Sequence, residues 1–299
     1  MSLSCEETCV VERTLRAKKD PALLDDPRVL RNLLELEDRY LVSTSYFECV
    51  QKDVQPYMRK VVATWMMQVC EEQKCEDDVF PLSMNYLDRF LSVHPIHRTQ
   101  LQSLGSACML IASKVKETLP LTTEKLVVYT DHSVGQDELL KFELLLLMRL
   151  KWDVLSITPI DFVDQILHRL HMDESTVAVA KKHAHTFIHL CCTDHTFSVY
   201  TPSMVAAGSV GAAVVGLQSA SRIWTSRQLL LEKLHEITGV DLDILRECLA
   251  QVETTLRANL LHISNHPNKS AEHPGDATAH LAAGCRQVDN TPTDVDMVF

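Results

Sequence analysis

Hydrophobic positions recur at helical spacing along almost the whole chain. At Asp26-Pro27 the residue types mark a helix start, with Asp as N-cap and Pro at the first helical position. Val29, Leu30, Leu33, Leu34 and Leu36 then supply one apolar face, which fades near Tyr40; the segment through Cys49 reads as a connection. From about Tyr57, Met58, Val61, Val62, Trp65, Met66 and Val69 keep the i, i+3, i+4, i+7, i+8, i+11 spacing of a second face. A helix starting at Asp78 tolerates Pro81 in its first turn and carries Phe80, Met84, Leu87, Phe90 and Leu91. The next, over about 98–117, has a middle of small residues, Gly105-Ser106-Ala107-Cys108. Short helices over 123–129 and 136–150 complete a group of five, and residues 152–156 read as a linker.

The plan then repeats. Thr158-Pro159 and Thr201-Pro202 each pair an N-cap with proline at the first helical position. The helix that follows Thr201 is again rich in Ala, Gly and Ser. Small side chains let neighbouring helices approach closely, so each half is expected to hold one central helix surrounded by longer-side-chained ones. The expected fold class is all-α: two tandem five-helix units with an extra N-terminal helix. In boundaries this gives a mobile tail over 1–25, the N-terminal helix and first unit over 26–152, a second unit over 157–263, and a polar, disordered tail over 264–299.

Composition narrows the function classes. Among 299 residues, 29 basic against 40 acidic side chains give a net charge of −11, which argues against a protein built to hold a phosphate backbone. Eight Gly and 6% aromatics speak against a turn-rich β-sandwich or barrel. The start, MSLSCEETCVVERTLRAKK, shows no signal-peptide apolar run, and the longest uncharged apolar stretch, 204–217, is too short to span a bilayer. Cys49, Cys70, Cys108, Cys191 and Cys248 sit among apolar neighbours as small hydrophobes rather than as a disulfide framework. The expectation is a reducing compartment, cytosol or nucleus.

Candidate chemistry is sparse. Gly208, Gly211 and Gly216 follow no strand and have the wrong spacing for a phosphate cradle, so close helix packing is expected of them. His185 and His189 lie one helical turn apart and can share a zinc ion, with Cys192 or His195 as third ligand, but no second ligand cluster or H-E-x-x-H glutamate accompanies them; ordinary helix histidines are the preferred reading. Binding features say more. Leu3, Cys5 and Glu7 form an L-x-C-x-E string whose side chains point one way in an extended tail. Thr291-Pro292 has no helix after it, which leaves a proline-directed phosphoacceptor or an idle dipeptide. Met58, Val61 and Trp65, taken alone, read as core.

Three segments in order carry a family likeness: Met58-Arg59-Lys60-Val61-Val62-Ala63-Thr64-Trp65, Asn85-Tyr86-Leu87-Asp88-Arg89-Phe90-Leu91 and Leu110-Ile111-Ala112-Ser113-Lys114. They resemble the successive signatures of a cyclin box. With Cys70-Glu71-Glu72-Gln73-Lys74-Cys75, the L-x-C-x-E string and Thr291-Pro292-Thr293-Asp294-Val295, the chain resembles a D-type cyclin, most like the third vertebrate subtype. The resemblance implies two cyclin folds, no catalytic residues, no cofactor or metal, and a regulatory subunit of cyclin-dependent kinase 4 or 6 that promotes phosphorylation of retinoblastoma-type pocket proteins at G1/S. It implies that Lys114 and Glu143 grip the kinase. It makes Met58, Val61, Val62, Trp65, Gln68, Leu101 and Gln102 a shallow patch for Arg-x-Leu motifs of substrates and Cip/Kip-type inhibitors. Gln68 stands where many other cyclins have an acidic residue. By the same likeness Leu3, Cys5 and Glu7 contact pocket proteins, and Thr291 is the phosphothreonine that leads to nuclear export and a ubiquitin ligase. Nucleus and cytoplasm are the expected locations, with no membrane and no direct nucleic-acid partner. A cyclin-fold, transcription-factor-like binding module without a kinase partner is the alternative, and the acidic charge weighs against it.

Overall fold

The computed structural model describes residues 20–42, 45–217 and 226–265, with side chains as far as 259. Its elements are α1 (Pro21–Asp25), α2 (Pro27–Glu37), α3 (Tyr46–Cys49), α4 (Pro56–Glu72), α5 (Val79–Leu91), α6 (Leu101–Lys116), α7 (Thr123–Tyr129), α8 (Gln136–Arg149), α9 (Pro159–Arg169), α10 (Glu174–Thr193), α11 (Pro202–Gly216), α12 (Arg227–Thr238) and α13 (Leu242–Asn265). Short 3-10 turns lie at Asp38–Tyr40, Arg98–Gln100 and His195–Val199, and no strand occurs among the described residues. Nor is any described helix long and apolar enough to cross a membrane.

Two five-helix units result, α4–α8 and α9–α13, each around its own apolar core. In the first, every residue from 103 to 113 of α6 is buried, because α4, α5 and α8 cover it on different sides. In the second, α11 is buried from Val205 to Val214 beneath α9, α10 and α13. Close approach explains the small residues: a Cβ on Gly105 would sit 3.0 Å from Val62 Cγ1, and one on Gly208 would sit 2.9 Å from Cys248 Sγ. Gly211 packs against Leu234 and Leu249, whereas a Cβ on Gly216 meets nothing, so packing accounts for Gly208 and Gly211 of the three α11 glycines but not for Gly216.

The caps behave as their chemistry dictates. Asp26 Oδ1 accepts from Arg28 N at 2.9 Å, and the neighbouring guanidinium with that amide holds the carboxyl down at about 2. Asp173 accepts from Thr176 N at 2.8 Å, and Thr158 N donates to Asp161 Oδ2 at 2.7 Å. Asp78 stands at the start of α5 without capping it; its carboxylate turns instead to Lys116 Nζ, 3.3 Å away.

Several boundaries differ from those the pattern predicts. The tail assigned to 1–25 is helical over Pro21–Asp25: Asp20 caps the turn, Leu23 O accepts from Gln165 Nε2, and Asp25 meets His168 Nε2 at 2.7 Å. The connection before Cys49 contains the one-turn helix α3, because Tyr46 is buried and its hydroxyl donates to Asp88 at 2.9 Å. Cys49 is exposed rather than a core residue, while Cys70, Cys108, Cys191 and Cys248 are buried. The N-terminal helix α2, grouped with the first unit by chain order, packs on the second. Leu30 is part of the second core, Leu33 and Leu34 lie against it, and Glu37 accepts from Ser203 N and Oγ at 2.7 Å each. The polar stretch expected to be disordered lies outside the described residues beyond Asn265.

Candidate functional site: an apolar row, a docking patch and the inter-unit junction

Lys114, at the end of α6, and Glu143, on α8, are brought together: Nζ to Oε1 is 2.5 Å. The lysine is half exposed and the glutamate mostly covered. An ion pair of this kind contributes about 0–1 kcal/mol to folding, so its groups are available to a partner at small cost to the fold. Beside it, Leu140, Leu144 and Met148 succeed one another at i, i+4, i+8 and are 44%, 54% and 61% exposed. The opposite side of α8 is spent on the core through Leu139, Phe142 and Leu146, and Glu138 accepts from Ser103 Oγ at 2.7 Å, so the outward row is rigidly presented. The sequence reading missed this row. Its signal is the run Leu144-Leu145-Leu146-Leu147, apolar around the whole circumference of a helix that has only one core to face.

The seven residues that the resemblance makes a docking patch separate by depth. Met58, Val62 and Trp65 of α4 and Leu101 of α6 are buried in the first core, and Val61, Gln68 and Gln102 form the visible surface. Trp65 Nε1 is buried with no hydrogen-bond partner. Gln102 Oε1 accepts from Ser133 Oγ at 3.1 Å. The patch is therefore a narrow polar-rimmed strip over an apolar floor.

The junction between the units holds the strongest electrostatics. Arg59 is buried and grips Asp88 with two hydrogen bonds of 2.7 Å, from Nε and Nη2. Nη1 reaches the carbonyls of Cys192 and Thr193 at 3.3 Å each, at the end of α10. Burial disfavours the guanidinium charge, and Asp88 more than offsets that, leaving its pKa above the ordinary value. The Tyr46 phenol on the same carboxylate is pushed up by burial and by Asp88.

The histidine cluster serves the same junction. His185 Nδ1 meets Asp77 Oδ2 at 2.7 Å and His189 Nε2 donates to Asp77 O at 2.9 Å, while the His189 ring stands edge-on to Phe80. Burial lowers the His189 pKa. Cys192 lies elsewhere, next to Arg59, its thiol pushed up to about 12 by burial. Among the described residues no group of three or more His, Cys, Asp or Glu is placed to hold a metal. Leu3, Cys5, Glu7 and Thr291 lie outside the described residues.

With this geometry in place, comparison with known proteins is informative. The N-terminal cyclin domain matches residues 28–155 and the C-terminal cyclin domain residues 157–281. The chain belongs to the cyclin family. Within the family it is similar to the D type: it is 50% identical over 300 residues to G1/S-specific cyclin-D2 of Mus musculus and 49% identical over 296 residues to G1/S-specific cyclin-D3 of Homo sapiens. Each alignment covers 99% of this chain and 98% of the relative. Identity to the two subtypes is nearly equal, so the likeness reaches the D type without separating the third subtype from the second. A viral cyclin from herpesvirus saimiri shares the fold at a TM-score of 0.68 and 27% identity, covering 77% of this chain and 97% of that one.

Proposed function

We infer that this chain is the activating regulatory subunit of cyclin-dependent kinase 4 or 6, promoting phosphorylation of retinoblastoma-type pocket proteins and progression through G1/S, as the names of its G1/S-specific relatives suggest. The observation that carries the reading is the exposed row Leu140, Leu144 and Met148 beside the Lys114–Glu143 pair. A kinase is inactive while a movable helix holds its glutamate away from the lysine that positions ATP. A rigid partner that fits only the inward position shifts the population toward activity. Moving that balance from 1:99 to 99:1 takes about 5.5 kcal/mol of differential binding. Fully burying an exposed side chain of this size yields about 1.5–3 kcal/mol, and these three are already about half covered, so the row supplies about 2–5 kcal/mol and the rest of the difference falls to the neighbouring contacts. Lys114 and Glu143 then fix the register of the contact.

The remaining partners follow from the same reading. Val61, Gln68 and Gln102 form the rim on which Arg-x-Leu segments of substrates and Cip/Kip-type inhibitors dock. Leu3, Cys5 and Glu7 engage the pocket protein. Phosphorylated Thr291 recruits the export and ubiquitin-ligase machinery, which gives a protein that moves between nucleus and cytoplasm.

The test mixes purified full chain with cyclin-dependent kinase 4 or 6 and a pocket-protein substrate, and compares Lys114→Glu and Leu144→Glu with the unaltered chain. Both variants should lose kinase binding and at least about tenfold of the stimulated phosphorylation. Their melting temperatures should stay near that of the parent, since neither side chain is in a core. Undiminished stimulation by both variants would remove the α8 face from the mechanism.

A further inference from the structure

Two cysteines meet at the end of α4 in a way that the proposed kinase contact does not use. The helix closes with Gln73 as C-cap and Lys74 in the left-handed region at φ 54. Lys74 N donates to Glu71 O at 3.1 Å and Cys75 N donates to Cys70 O at 2.9 Å. Together these are the two bonds of a Schellman motif, in which the side chains of the third-last helical residue and the second residue past the cap come into contact. Here those residues are Cys70 and Cys75. A disulfide needs Cα atoms about 4.4–6.8 Å apart, a span that a chain folded back through an N–H to a carbonyl five residues earlier provides. Both cysteines also line a cleft of about 470 Å³ between α4 and α10, which gives a small oxidant access to them. Cys70 is buried and Cys75 half-buried.

We propose that Cys70 and Cys75 form a reversible intramolecular disulfide on exposure to hydroperoxide, making this helix end a redox-modification site. Cys75, the more accessible, attacks as its thiolate: its sulfur takes one peroxide oxygen to give a sulfenic acid, and the other oxygen leaves as water after gaining a proton. The Cys70 sulfur then displaces hydroxide from Cys75, and the hydroxide takes the Cys70 proton to leave as a second water. In sum, two thiols and one hydrogen peroxide give one disulfide and two waters, and a dithiol reductant reverses the step. The hydrogen bond to Cys75 and then burial hold the Cys70 thiol well above its ordinary pKa, which leaves the first attack to Cys75.

The sequence supplies a direct readout. Trypsin cuts after Lys60, Lys74 and Arg89, so Cys70 lies on peptide 61–74 and Cys75 on peptide 75–89. The reduced full chain is treated with low equivalents of hydrogen peroxide, alkylated, digested and mapped with and without dithiothreitol. The expected product is these two peptides joined with loss of two hydrogens, about tenfold above any other linked pair and abolished by dithiothreitol. Cys70→Ser should leave Cys75 as a sulfenic acid trapped several-fold more by dimedone, while Cys75→Ser should leave Cys70 reduced; circular dichroism confirms that both variants fold. The proposal is overturned if Cys75 links to another cysteine, if it advances to sulfinic acid while Cys70 stays alkylatable, or if both remain reduced at a dose that oxidises the exposed Cys49.

Discussion

Replacing Arg59 by methionine perturbs a buried ion pair whose guanidinium also reaches across to the second unit. Methionine fills much of the space, so the loss is electrostatic rather than a cavity. It strips Asp88 of both 2.7 Å hydrogen bonds and leaves that mostly covered carboxylate with the Tyr46 hydroxyl at 2.9 Å. The carbonyls of Cys192 and Thr193 lose their donor as well. Removing one partner of a buried pair costs about 3–5 kcal/mol, most of it the penalty of the uncompensated charge. At about 2–4 °C per kcal/mol for a structure of this size, the melting temperature should fall by about 6–20 °C. Because the penalty is the orphaned charge, Arg59→Met combined with Asp88→Asn should be more stable than Arg59→Met alone, with a coupling above about 1.5 kcal/mol. Thermal melts and urea titrations of the four proteins in the cycle measure this. A single variant that melts within about 3 °C of the parent, or a cycle whose effects simply add, would refute the reasoning.

Other residues allow sharper contrasts. Glu37→Ala should cost about 1–3 kcal/mol by orphaning Ser203 N, while Glu37→Gln keeps an acceptor and should cost far less. Burial raises the Glu37 pKa above 4.5, so its contribution to stability is greatest below that value and declines as pH rises through the raised one; urea midpoints of Glu37→Gln should lack that decline. His189 is the converse: burial lowers its pKa, so stability is lost as pH falls below 6.5 toward the folded value, and His189→Gln should flatten that limb of a stability-versus-pH curve. Gly208→Ala places a methyl 2.9 Å from Cys248 Sγ and should destabilise by about 1–3 kcal/mol, with the paired Cys248→Ala restoring part of the loss in chemical denaturation; equal stability of Gly208→Ala and the parent would show that α11 and α13 can separate freely.

The local chemistry of the helix ends made most of the architecture readable in advance. Asp-Pro and Thr-Pro pairs placed the starts of α2, α9 and α11, and the small-residue runs in α6 and α11 picked out the two central helices. What remained hidden depended on partners distant in the chain. Pro21–Asp25 is too short to show a period and is held by contacts to α9. The apolar face of α2 announces that it is covered, but not by which core. In the docking strip, Met58, Val61 and Trp65 share one face by period alone, yet only the packing of α4 on α6 divides them into a buried floor and an exposed rim. The outward leucines of α8 resist a pattern reading for another reason: four leucines in succession, 144–147, give no direction. His185 and His189 share a partner that helical spacing does not reveal, because Asp77 lies more than a hundred residues earlier.

The seat of α2 sets an order of assembly. Glu37 meets Ser203 across 166 positions, so α2, made before the first unit, lacks part of its seat until α11 has been made. Meanwhile Leu30, Leu33 and Leu34 must wait uncovered, and the intervening unit folds between a helix and its own landing site. When α2 docks, it closes a loop that encloses the whole of the first unit, at an entropic cost that grows only slowly with loop length. The helix therefore works like a clasp on a finished bracelet, and a chain cut short before α11 would leave it only α9 to fasten to.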